Sequence, residues 1–132
     1  FFKFYYKILK YMFIYTLKQL CGKYYVGKTS NPKVRIQRHF MGHGPNWTKK
    51  YKPTQLIYLQ DMIDPMDEEV QTFKMMRIHG VNNVRGGSFP HTNLLERELK
   101  FLNKIIHSSQ DCCFICGSNE HFANSCPNTS YK

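Results

Sequence analysis

Fourteen residues near the end of the chain, CFICGSNEHFANSC, place Cys113, Cys116, His121 and Cys126 with two, four and four residues between them. Three thiolates and one imidazole complete the closed tetrahedral shell of a structural Zn²⁺. So short a stretch cannot build a hydrophobic core, so the metal would supply its folding energy. Cys112 does not fit the pattern, because starting from it widens the first gap to three residues. A second chemistry is suggested far upstream. The stretch CGKYYVGKT, residues 21–29, sets two tyrosines between Lys23 and Lys28. A phenol loses its proton near pH 10, but neighbouring cations stabilise the ionised form. Taken alone, Tyr15 and Tyr25 read as aromatic fillers of a strand, and Arg35 with His39 as a solvated helix face.

The charge pattern narrows the partner. The 132-residue chain carries a formal charge of +10, and residues 1–60 hold twelve Lys or Arg and no acid before Asp61. Such a surface is expected to face a polyanion, nucleic acid before an anionic membrane. With 42% hydrophobic and 15% aromatic residues, a packed core is expected. Five cysteines, four of them after residue 111, and no recognisable signal sequence argue against a secreted disulfide scaffold and for a reducing, intracellular compartment. The opening FFKFYYKILKY is broken by Lys3, Lys7 and Lys10 and falls short of the roughly 20 apolar residues of a membrane span, so no membrane partner is expected. Residues 1–11 are expected to lie outside the functional domain, or to form an extra edge strand or short helix.

The elements that must position these groups follow from pattern. Residues 12–17, MFIYTL, read as a strand, 18–22 as a turn, and 23–27 as the returning strand of a hairpin. Pairing Lys18 with Gly22 would set Tyr15 opposite Tyr25 on one face. Residues 30–40 carry a helix start in Asn31 and Pro32, and on that helix Arg35 and His39 share a face. Residues 41–53 read as a loop in which Trp47 and Tyr51 alternate with Lys49, Lys50 and Lys52. Trp47 and Tyr51 are expected in the core and the lysines on nucleic acid. Residues 54–61 read as a third strand and 64–80 as a helix closed by Gly80. VRGGSF, 84–89, reads as a glycine turn whose Arg85 either touches a phosphate or braces the turn. Residues 93–107 read as an amphipathic helix capped by Asn93 and Glu96, and 108–112 as a linker.

The spacing of the cysteines and histidine resembles the CCHC zinc knuckle of retroviral nucleocapsids and many RNA-binding proteins. Phe114 and Phe122 match the positions on which that family stacks unpaired bases. Glu120 departs from the glycine usual before the histidine. Upstream, FIY at 13–15 and YVG at 25–27 resemble the two halves of the GIY-YIG endonuclease motif, with Phe13 in place of the first glycine. Lys28 follows the second half, Arg35 falls eight residues after Gly27, and His39 four after that. GHGPNWTKKYKP and VNNVRGGSF look like the versions of this domain in large DNA viruses, where a C-terminal knuckle is often appended. A viral origin would place the protein in the host cytoplasm or nucleus.

The resemblance, over residues 12–90, implies an α+β fold: a small antiparallel three-stranded sheet flanked by helices, with the zinc knuckle at 113–126 appended. It implies a divalent-metal-dependent endonuclease acting on DNA, with branched or single-stranded substrates and RNA left open. Tyr25 would take a proton from water, and Tyr15 would hydrogen-bond in the same cluster. Lys28, Arg35 and a bound cation would lower the Tyr25 pKa by stabilising the phenolate. Arg35 would bind the scissile phosphate, and His39 would position or relay a proton. Glu68, chosen over Asp67 and Glu69, would hold one Mg²⁺ or Mn²⁺. Asn83, with Asn82 as the alternative, and Gly27 would support the site. The competing readings are a nucleic-acid-binding protein with a degenerate nuclease fold, and an interaction module whose knuckle grips a protein.

Overall fold

The structure is a computed structural model that describes residues 11–110, 116, 118–121 and 125–127. The chain divides into two compact units, one ending at Thr92 and one beginning at Asn93. In the first, β1 (Phe13–Gln19) and β2 (Tyr24–Thr29) form the expected hairpin. Leu20–Gly22 turn as one 3-10 segment between them, with Cys21 at φ 63°. After α1 (Pro32–Phe40) and α2 (Asn46–Lys50), β3 (Pro53–Asp61) returns along the outer side of β1. The helix α3 (Asp67–His79) ends at Gly80, whose φ of 96° suits a residue without a side chain. β4 (Val84–Gly86) then pairs parallel with β2.

The sheet therefore has four strands in the order β3-β1-β2-β4, and it is mixed. This corrects the expected three-stranded antiparallel sheet. Val84–Gly86, expected inside a glycine turn, is the fourth strand. It is only three residues long and all three are buried. Its strand character comes from its partner β2, because three residues show no periodicity of their own. The loop expected over 41–53 likewise contains α2, too short for a helical pattern to register.

The two faces of the sheet are covered differently. Thr16 on β1 accepts a hydrogen bond from Gln71 Nε2 of α3 at 3.2 Å, and α3 packs against β2 and β4. On the other face Tyr15, Leu17, Tyr25 and Trp47 form one buried cluster, with Ile36 and Tyr51 against it. Gln19 ties α2 to the sheet by donating to the carbonyls of Trp47 (3.2 Å) and Tyr51 (2.7 Å). β3 is an edge strand with a register shift between its partners Thr16 and Leu17, and Leu56, Ile57, Tyr58 and Leu59 are exposed.

In the second unit, α4 (Glu96–Ser109) buries Leu102 and Ile106. The expected cap at Asn93 and Glu96 is corrected by two residues. Leu95 stands at the cap and its N–H donates to Glu98 Oε1 at 3.0 Å. Leucine has no side-chain oxygen, so the reciprocal half of a capping box is missing. No described helix is long and apolar enough to cross a membrane.

Candidate active site

Register brings the tyrosines together. Lys18 pairs with Tyr24, not with Gly22, so Tyr15 lies opposite Gly27 and Leu17 opposite Tyr25. The difference from the expected pairing is two residues, which preserves the alternation of faces. Tyr15 and Tyr25 are therefore diagonal neighbours on one face, with ring centroids 6.2 Å apart. The Tyr15 ring lies directly over Gly27: a Cβ there would stand 2.4 Å from Tyr15 Cζ and from its hydroxyl oxygen. Gly27 is the hole into which the phenol fits.

Helix α1 supplies the next two groups. Asn31 caps it by accepting the Val34 N–H at 3.3 Å, and Pro32 occupies its first turn. Arg35 and His39, one turn apart, both reach the phenols. His39 is buried, 2.7 Å from the Tyr15 hydroxyl through Nε2 and 3.3 Å from Thr48 Oγ1 through Nδ1. Burial, assisted by the charge of Arg35, pulls the His39 pKa down to about 4. The native imidazole is thus a weaker proton acceptor than the unfolded one. Its contribution to stability is intact above the ordinary histidine value of about 6.5 and is lost as pH falls towards 4. Melting temperature should drop across that window, and His39→Gln should flatten the drop relative to the parent.

Burial raises the pKa of both tyrosines above the ordinary phenol value, and Arg35 opposes it in each case. The Arg35 pKa is raised in turn, first through side-chain hydrogen bonding to Tyr15 and then through the charges of both phenols. Lys28 is exposed, and its charge acts on Glu68 instead of Tyr25. Of the groups expected to lower the Tyr25 pKa, namely Lys28, Arg35 and a bound cation, Arg35 acts and Lys28 does not, and Arg35 by itself is outweighed by burial.

Of the three candidate carboxylates on α3, Glu68 is the one that acts on the phenols: its charge raises both. Glu68 is itself raised, chiefly by burial and secondarily by Glu69, against the pull of Lys28. Glu69 is spent elsewhere, accepting the Ser88 N–H in the turn after β4. Asp67 accepts the N–H groups of Ile63 and Asp64 at 2.8 and 2.9 Å, steadying the entry to α3. A half-buried carboxylate with a like charge beside it suits a hard cation completed by water and phosphate oxygens.

Arg85 does not face nucleic acid. It is 4% exposed and donates to the carbonyls of Val81, Val84, His91 and Thr92, with its guanidinium 4.4 Å from the Trp47 ring centre. That leaves it the bracing role. Asn83 links two elements: its side chain donates to the His79 carbonyl and accepts from Lys23 Nζ, each at 2.7 Å. Trp47 is buried and donates to the Tyr24 carbonyl at 3.0 Å. Lys49, Lys50 and Lys52 are exposed, and Lys49 and Lys52 line a groove of about 320 Å³ that reaches His39.

In the second unit, Cys116, His121 and Cys126 bring their ligand atoms within 4.8 Å of one another, with Cys116 Sγ 3.3 Å from His121 Nε2. Tetrahedral Zn²⁺ requires neighbouring sulfur and nitrogen ligands about 3.5 Å apart, so the donor set and spacing fit. The fourth expected ligand, Cys113, and the expected stacking residues Phe114 and Phe122 lie outside the described residues.

Sequence reasoning passes over Thr48 and Gly44. A Cβ on Gly44 would stand 2.4 Å from His39 Nδ1 and 2.5 Å from Thr48 Oγ1, so a residue with no side chain is required beside that pair. Neither position has a spacing that marks it; only their place in a glycine- and lysine-rich segment sets them apart.

Similarity to known proteins agrees with this geometry. The model of the GIY-YIG catalytic domain matches residues 11–73. The UPF0213 protein of Staphylococcus saprophyticus is 34% identical over 71 residues, covering 49% of this chain and 85% of the relative. That of Pediococcus pentosaceus is 31% identical over 85 residues, covering 62% and 90%. A Staphylococcus aureus UPF0213 protein is 30% identical over 59 residues, covering 45% and 71%. These three relatives are bacterial, where the sequence alone suggests large DNA viruses. No solved structure matches the chain. With two relatives covered over more than four-fifths of their length, the chain belongs to the UPF0213 proteins, and it carries a GIY-YIG catalytic domain.

Proposed function

We propose that this chain is a divalent-cation-dependent endonuclease that hydrolyses DNA one strand at a time, with a zinc-bound C-terminal segment adding grip on nucleic acid. One observation carries the reading: Tyr15 and Tyr25 lie on one face with ring centroids 6.2 Å apart, Arg35 reaches both phenols, and the charge of Glu68, from a fourth element, falls on both. A packing role for the tyrosines needs no such company.

The chemistry follows from the positions. Tyr15 shares a short hydrogen bond with His39, so Tyr25 is the phenol left to work as base. With Arg35 and a cation at Glu68 together offsetting the burial that otherwise keeps it protonated, its phenolate would take a proton from a water whose oxygen attacks phosphorus; the bond to the 3′-oxygen breaks, that oxygen takes a proton from solvent, and a 3′-hydroxyl and a 5′-phosphate remain. Arg35 neutralises the charge that grows on the phosphoryl oxygens, a task suited to its planar, permanently charged fork. Glu68 would hold Mg²⁺ or Mn²⁺, which when bound supplies Lewis acidity at the leaving oxygen. Lys28, Lys49, Lys50 and Lys52 offer phosphate contacts. Cys113 completes the zinc shell, and Phe114 and Phe122 stack bases. Cysteines kept as zinc thiolates suit a reducing intracellular compartment.

The test is nicking of supercoiled plasmid with Mg²⁺ or Mn²⁺, beside Tyr25→Phe and Glu68→Ala. The parent should nick, each variant should be slower by about 100-fold, and chelation should stop the reaction. Equal nicking by all three proteins would expose a contaminant. Salt-dependent DNA binding without nicking would favour the non-catalytic nucleic-acid binder, and loss of binding as well would favour an interaction module.

A further inference from the structure

We propose that Thr48 is a positioning residue that fixes the tautomer of His39 and thereby aims the Tyr15 hydroxyl; its catalytic consequence rests on the nuclease reading above. The Thr48 hydroxyl lies 3.0 Å from the Pro45 carbonyl and 3.3 Å from His39 Nδ1. A carbonyl can only accept, so the single hydroxyl proton of Thr48 goes to Pro45; the reverse assignment would press two lone-pair oxygens together. Thr48 Oγ1 must then accept, which requires the proton of neutral His39 to sit on Nδ1. That leaves Nε2 bare, 2.7 Å from Tyr15, and the Tyr15 O–H donates to it.

The direction matters because of what stands on the other side of the phenol. Arg35 engages Tyr15 through its side chain, and a guanidinium has donors only. A Tyr15 proton turned towards Arg35 would meet another proton. With the proton committed to His39, the Tyr15 oxygen turns its lone pairs to Arg35 and steadies it for phosphate. The carbonyl of Pro45 thus sets a one-way chain from Tyr15 through His39 and Thr48. Gly44 makes room for it, since a methyl there would strike both His39 Nδ1 and Thr48 Oγ1.

The test is ¹⁵N NMR of imidazole-labelled full-length protein at neutral pH. The parent and Thr48→Ser should show His39 protonated on Nδ1 and bare on Nε2. Thr48→Val offers Nδ1 no acceptor and should move the proton to Nε2. A parent spectrum with the proton on Nε2 overturns the proposal, as does a folded valine variant that keeps it on Nδ1. If the valine variant does not fold, the parent and serine spectra still decide. In the plasmid assay, Thr48→Val should lower kcat by about tenfold with KM unchanged, and Thr48→Ser should restore it. A parent that nicks nothing defeats the nuclease reading, while the position of the His39 proton still decides for or against Thr48.

Discussion

Arg35→Ala should slow plasmid nicking by about 100- to 1,000-fold, the range seen when a single transition-state charge donor is removed. The residue has two jobs, and alanine loses both. In the proposed reaction it would face the charge developing on phosphate, and it is the group that opposes burial at Tyr15 and Tyr25. Without it both phenols become harder to ionise, so the surviving activity should move to higher pH. Arg35→Lys separates the jobs. A lysine keeps the charge but lacks the fork that engages two phenols and a phosphate together, so rescue should be partial. Single-turnover rates between pH 6 and about 10 would measure this on the rising limb below the phenol range. Nicking by Arg35→Ala within threefold of the parent, with an unmoved pH profile, would remove Arg35 from the site.

Gly27→Ala should damage stability and activity together. The added methyl falls 2.4 Å from two atoms of Tyr15 and 2.9 Å from a third. The ring has little freedom to retreat, with Tyr25 and His39 both packed against it at centroid distances of 6.2 and 5.5 Å. Either the β1–β2 pair opens or the phenol leaves His39. Overpacking of this kind costs about 1–3 kcal/mol, measurable as a lowered urea midpoint with unchanged slope. Displacing Tyr15 by even 1 Å should also cost about 100-fold in nicking. Tyr15→Phe removes one of the two closest atoms. The double variant should therefore be less destabilised than the sum of the single changes, and strict additivity would place the clash elsewhere.

The parts legible in the sequence are those with a period or a cap. The hairpin, α1 with Asn31 and Pro32, and the helix closed by Gly80 all stand near their expected bounds. The shared face of Tyr15 and Tyr25 survives a mistaken register because the error is an even number of residues. What escapes is what tertiary pairing creates. β4 is a strand because β2 is beside it, and α2 is one short turn held down by Gln19. The choice between Glu68 and Glu69 can be argued from sequence only through a motif. In the fold it turns on Glu69 being occupied by Ser88. Arg85 shows the limit of reading charge: a basic residue in a basic chain reads as outward-facing, yet it is among the most buried polar groups.

That arginine also says where the first unit ends. The family match stops at residue 73, after every proposed reacting group has been made. Yet the guanidinium that rests on Trp47 is held by carbonyls as late as His91 and Thr92. It works as a clasp, buckling the tail of the unit onto the helix beneath the tyrosines. A fragment excised at the end of the match would carry all of the chemistry and none of the fastening, and the smallest autonomous piece should extend through Thr92.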